Sequence, residues 1–190
     1  MTFLVTGARS HCFGTMSDIE CRNFLLTALR IQGHLTSLPS ANIKNQRVTG
    51  DFMYETVRLA ALVYCRAIIN HIPFSEACRP ADLRTMFSAM SQISLSEWKR
   101  FPGVWLFVLL SMNPAARNIP AGINLRSLLK ISCFALAAWE WQVYVNVMES
   151  YIYVQRWIRT LRKRRILPEV WVISTDNWHI TVALLLRKIA

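Results

Sequence analysis

Acidic residues are scarce in this chain. Asp and Glu together number 11 among 190 residues, against 22 Lys and Arg, which leaves a net charge of +11 and a pI near 10.0. The 11 acids are dispersed and stand mostly where a helix start or a solvent face would put them. They supply no paired general acid and base, which argues against a hydrolase or a metalloenzyme. Cysteine pairs are missing too. The five cysteines, Cys12, Cys21, Cys65, Cys78 and Cys133, are odd in number and irregular in spacing, and no two form a C-x-x-C. A disulfide framework is therefore not expected, and reduced thiols inside a cell fit better. Glycine is sparse, at 6 residues, and the close-set G-x-G-x-x-G that lets backbone approach a pyrophosphate does not occur. Thr6-Gly7 follows a β-like Phe3-Leu4-Val5, but the next glycine is Gly14 and no βαβ pattern follows. No G-x-S-x-G is present. The segment Met1–Val5 lacks the basic and long apolar regions of a signal peptide.

Long apolar runs are also lacking, although the chain is greasy. Apolar residues make up 53% and charged residues 17%, with a mean hydropathy of +0.26. The longest uncharged apolar runs, Val104–Met112 and Ile131–Trp139, each span nine residues. A membrane-crossing helix needs about 20, so buried helices in a bundle are expected instead.

Helical signals fill most of the sequence. Residues 1–16 read as a short extended piece and a loop. Ser17 with Glu20 spells a capping box for a helix from Ile19 to Gln32, which Gly33 is expected to end with a left-handed cap. Residues 34–50 read as a linker. Asp51 caps a helix running to about His71 and stopped by Pro73, with Met53, Val57, Ala60, Tyr64, Ala67 and Ile68 as its buried stripe and Phe52, Leu59 and Val63 widening it. Pro80 opens a third helix, with Leu83, Met86, Phe87, Met90 and Ile93 as its apolar face. A fourth runs from Pro102 to Met112, apolar nearly all round, and so belongs at the centre. Asn124 is expected to cap a fifth, Leu125 to Trp139, and a sixth runs from Glu140 to about Arg162. No Gly or Pro separates these two, and the spacing leaves their continuity open. The fold class predicted is all-α: a bundle of about six helices, divided into an N-terminal helix and linker over 1–50, a helical core over 51–165 and a C-terminal tail over 166–190.

Few residues suggest chemistry. His11-Cys12 with Cys21 falls short of the four paired ligands of structural zinc. Cys65 and Cys133 suit small core positions. The four histidines, His11, His34, His71 and His179, have no patterned acidic or nucleophilic neighbour. No catalytic, cofactor or metal residue is assigned. The one polar feature above background is a basic cluster, Arg156, Arg159, Arg162, Lys163, Arg164 and Arg165. It suits a nuclear-import signal or a partner contact, a lipid-binding face, or a solvated helix end where cations complement the dipole.

Several segments resemble the fungal-specific transcription factor domain. They are Tyr54-Glu55-x-x-Arg58-Leu59-Ala60-Ala61, Pro73-Phe74-x-x-Ala77-Cys78, Trp98-x-x-x-Pro102-Gly103-Val104-x-Leu106, Ala115-Ala116-Arg117, Leu125-x-x-Leu128-Leu129 and Gln155-x-Trp157-Ile158. They span roughly residues 50–162. The resemblance implies an α-helical regulatory domain in the nucleus. Such a domain acts in transcription through protein partners of the transcription machinery, another regulator subunit or a small effector. In that family a six-cysteine zinc cluster usually precedes the domain. Without a C-x-x-C the chain reads as a stand-alone or truncated regulatory domain that does not itself read DNA. On this reading a membrane is not an expected partner; the rival reading is a peripheral membrane protein using the basic sixth helix and the apolar tail.

Overall fold

A computed structural model describes residues 17–40 and 51–164. The expectations for residues 1–16, 41–50, Arg165 and the tail over 166–190 lie outside the described residues. Among the described residues the fold is all-α, with six long helices as the periodicity predicts, two single-turn helices and one 3-10 turn.

Helix α1 (Asp18–Ser37) starts at the expected capping box. Ser17 Oγ accepts from the Glu20 backbone N–H at 3.3 Å, and Glu20 Oε2 accepts from the Ser17 N–H at 2.8 Å. Its end differs from expectation. Gly33 lies inside the helix, which runs on to Ser37. Pro39 sets the true stop, because the residue before a proline is pushed out of the helical region. Leu38 accordingly takes φ −73° and ψ 141°.

Helix α2 (Phe52–Ile69) starts at Asp51, whose Oδ1 accepts from the Tyr54 N–H at 2.8 Å. It ends before Pro73 is reached. His71 turns left-handed, at φ 52°. The Ile72 N–H then reaches back to the Ala67 carbonyl at 3.1 Å and the His71 N–H to the Ile68 carbonyl at 3.4 Å. That is the Schellman pattern, with histidine where glycine is usual. The predicted stripe is buried at Ala60, Tyr64, Ala67 and Ile68, with Leu59 and Val63 beside it. Phe52 is exposed, and Met53 and Val57 are half-buried.

Two single turns were not anticipated: α3 (Phe74–Ala77) and α5 (Leu95–Trp98), the latter with its own capping box of Ser94 and Glu97. They flank α4 (Pro80–Ser91), which begins at proline as expected and buries Leu83, Met86 and Met90. Helix α6 (Pro102–Met112) takes the central place predicted for it. Leu106, Val108, Leu109 and Met112 are fully buried, and α6 touches α2, α7 and α8. Gly103 lets it approach α8 closely, since a Cβ there would sit 3.0 Å from Val143 Cγ1.

A 3-10 turn (Ala115–Asn118) leads into α7 (Ala121–Trp139). This helix starts earlier than predicted, with Asn124 inside it rather than capping it. Pro120 already holds helical φ and ψ, and Gly122 lies so near the Ala116 carbonyl oxygen that a Cβ would come within 1.8 Å of it. The chain breaks at Glu140, at φ −133° and ψ 49°, and α8 (Trp141–Arg164) folds back along α7. The sixth helix thus begins near Glu140 as expected, and α7 and α8, whose continuity the spacing leaves open, are separate helices. Leu136 joins Leu106 and Leu110 of α6 in a small core cluster, against which Leu129 of α7 and Tyr144, Met148 and Tyr151 of α8 pack. No helix among the described residues is long and apolar enough to cross a membrane.

Candidate functional site

A large concave feature lies between α1, α2 and the start of α6. It is a groove of about 870 Å³. Ile31 and Leu35 of α1 face Met53 and Val57 of α2, and Phe101 and Val104 close the third side. These are the residues by which α2 departs from full burial. The predicted stripe is wider than the core that covers it, and its first turns border open space.

Polar contacts hold the groove walls together. The Arg58 guanidinium donates to both Glu55 oxygens, at 3.0 and 2.8 Å, and to the Leu35 carbonyl at 3.4 Å. Ser40 Oγ donates to Glu55 Oε1 at 3.1 Å, and the Tyr54 hydroxyl to the Pro39 carbonyl at 2.9 Å. The end of α1 is thereby tied to the first turns of α2. Glu55 is 2% exposed, so its charge depends on these partners. The hydrogen bond that Arg58 donates to Glu55 holds the Arg58 pKa above its ordinary value, against the opposing effect of burial. Arg30 and His34 add two exposed basic groups on one rim, and no carboxylate among the described residues lines the groove. Concave, mostly apolar walls with a few placed polar groups are the usual makings of a binding site.

A second polar cluster lies at the far end of α2. Arg66 donates to Asp82 at 2.7 Å and to the Ala77 carbonyl, while Arg79 donates to Asp82 at 3.1 Å. Burial alone would raise the Asp82 pKa, but the two arginines outweigh it and hold it below the usual carboxylate value. Nearby, His71 meets Trp157 edge-on at 5.6 Å, and Trp157 meets Phe24 at 5.0 Å. The His71 Nε2 and Trp157 Nε1 atoms are buried without a hydrogen-bond partner among the described residues, and burial lowers the His71 pKa. These clusters brace α2, α3, α4 and α8.

Cys65 and Cys78 are buried core thiols whose pKa values rise to about 11 and about 12, in both cases chiefly through burial. Cys133 and Cys21 are half-buried. No group of three His, Cys, Asp or Glu that could hold a metal occurs among the described residues.

The basic cluster is divided by the structure. Arg156 and Arg159 are exposed on α8. Arg162 is exposed as well and stands 3.8 Å from Glu76 of α3. Lys163 and Arg164 close the helix, and Arg165 lies outside the described residues. Arg156, Arg159 and Arg162 take no part in lining the groove. The groove's own polar residues, Arg30, His34, Tyr54 and Arg58, were not singled out as a site by sequence spacing. Glu55-x-x-Arg58, an ion pair one turn apart in an otherwise apolar helix, was the available signal.

No family model, no curated protein and no solved structure matches this chain.

Proposed function

We propose that this chain is a regulatory and interaction domain acting in transcription, of the kind that the fungal-specific transcription factor domain represents. It works in the nucleus through protein partners of the transcription machinery, another regulator subunit, or a small effector held between helices. It performs no catalysis, uses no cofactor and reads no DNA sequence itself. The observation that carries this reading is the groove between α1, α2 and α6: open, apolar, and braced by the Glu55–Arg58 pair so that its walls are set before anything binds. The six resembling segments support the assignment to transcription.

The test is a reporter assay with the full chain tethered to an unrelated DNA-binding domain. Reporter output is expected to shift. Val57→Arg, which places a charge on the half-buried groove wall, is expected to abolish the shift while far-UV circular dichroism stays unchanged. Output equal to that of the DNA-binding domain alone would contradict the reading. For the nuclear address, replacing Arg162, Lys163, Arg164 and Arg165 with alanine should move a tagged protein to the cytoplasm. A tagged protein that never enters the nucleus would contradict that address.

A further inference from the structure

The outer surface of the α7–α8 hairpin holds several large apolar side chains in solvent. Ile131, Phe134, Trp139 and Trp141 are 65%, 78%, 82% and 61% exposed. Trp139 and Trp141 flank the tip where one helix ends and the next begins, and Phe134 and Ile131 lie in the last turns of α7 before it. Large apolar side chains scattered singly are ordinary on a protein surface, but contiguous ones mark an interaction site.

The exposed face of α8 has a further order. At about 100° per residue, Trp141, Val145, Ile152, Arg156 and Arg159 fall within a sector of roughly 60°. The face is thus apolar at the hairpin tip and basic farther along. Trp141, Ile152, Arg156 and Arg159 are all exposed, and Glu149 stands at the margin of the sector. On α7, Lys130 is exposed beside Ile131 and Phe134. Glu140 is the one acid at the tip among the described residues. Helix α8 is about 36 Å long at 1.5 Å per residue, enough to lie along a surface without crossing it.

We propose that this hairpin surface docks on an anionic lipid bilayer, with Phe134, Trp139 and Trp141 entering the headgroup region and Lys130 and Arg159 lying against the lipid phosphates and carboxylates. Two observations favour a bilayer over other occupants. Tryptophan, with an apolar ring and a polar N–H, is the side chain best suited to the boundary between hydrocarbon and water. Lys130, about one turn from Phe134, and Arg159, farther along α8, then complement anionic headgroups, in a chain of net charge +11. The surface is separate from the groove, and the proposal does not rest on the reading given for it.

Vesicle co-sedimentation and tryptophan fluorescence of the full chain test the proposal. The vesicles are phosphatidylcholine alone or with about a third phosphatidylserine. Binding to the anionic vesicles is expected, with a blue shift in emission and a loss of affinity as salt rises. Trp139→Ala with Trp141→Ala should abolish most of the binding. Lys130→Glu and Arg159→Glu should each weaken it roughly fivefold or more. All four substitutions are at exposed positions, and an unchanged unfolding midpoint checks that the fold is kept. Three results would overturn the proposal: no binding to anionic vesicles, binding indifferent to the tryptophan pair, or a concentration-dependent dimer that the tryptophan pair removes.

Discussion

Helices α2 and α8 both combine apolar stripes with arginines, yet they place them in opposite ways. In α2 the charge is internal. Glu55 is buried, Arg58 is nearly so, and the two neutralise each other while tying α1 to α2. In α8 the buried stripe is apolar, at Val154, Trp157 and Ile158, and the charge faces outward at Arg156 and Arg159. Apolar side chains are displaced in the same sense: α2 turns its surplus ones into a groove, whereas the hairpin tip holds Trp139 and Trp141 out in solvent. Periodicity tells which residues share a helix face. It does not tell whether that face meets another helix, a groove or water.

The contrast can be broken first at its centre. Leu106, fully buried on α6 between α7 and α8, should lose about 3–4 kcal/mol of unfolding free energy on replacement by alanine, read from denaturant unfolding. A loss below about 0.5 kcal/mol would place Leu106 at the surface. Glu55→Ala should destabilise by about 3 kcal/mol, because Arg58 would be left largely buried without its carboxylate. If the pair instead behaved as a surface bridge, the loss would stay under about 1 kcal/mol.

The pH dependence sharpens the same contrast. Burial holds the folded-state pKa of His71 below its unfolded value. The unfolded chain therefore binds more protons in that window, so stability is full above about pH 6.5 and falls as pH drops through the unfolded and then the folded pKa. His71→Asn, which tolerates the left-handed backbone, should flatten that slope in unfolding curves taken from neutral to mildly acidic pH. Asp82 acts lower. Its depressed pKa gives stability that is full above about pH 3.9 and is lost as pH falls through the folded value. The smallest effect is a gain. Gly33 lies inside α1, and a Cβ added there would meet nothing within 4 Å, so Gly33→Ala should stabilise by about 0.5–1 kcal/mol.

The parts of the fold legible in the sequence are those set by local chemistry. Ser17 with Glu20, Asp51, Pro80 and Pro102 each mark a helix start where the structure has one. The uniformly apolar α6 could only be central. Local signals misled where two of them competed. Gly33 reads as a stop, but a helix tolerates a glycine at modest cost and Pro39 imposes the boundary. Asn124 reads as a cap, but Pro120 and Gly122 have already turned the chain. The break at Glu140 has no local mark. It brings Leu136 of α7 and Tyr144 of α8 to one core cluster, which is a tertiary requirement. Single turns such as α3 are too short to show a period. The groove is half-legible: its apolar walls belong to predicted stripes, but the positions of Arg30 and His34 on its rim depend on how α1 crosses α2. The basic cluster is legible as a run, while the approach of Arg162 to Glu76 is not.

Tryptophan accessibility tests the contrast most directly. The structure buries Trp98, Trp105 and Trp157 and exposes Trp139 and Trp141. Collisional quenching of the full chain is compared with that of Trp139→Phe/Trp141→Phe and of Trp157→Phe. The account predicts that the double substitution removes readily quenched, red-emitting fluorescence and leaves the unfolding midpoint nearly unchanged. Trp157→Phe should remove a protected component and lower the midpoint. If the double substitution instead removed protected emission and destabilised the fold, the hairpin surface would be covered and the contrast between α2 and α8 would fail.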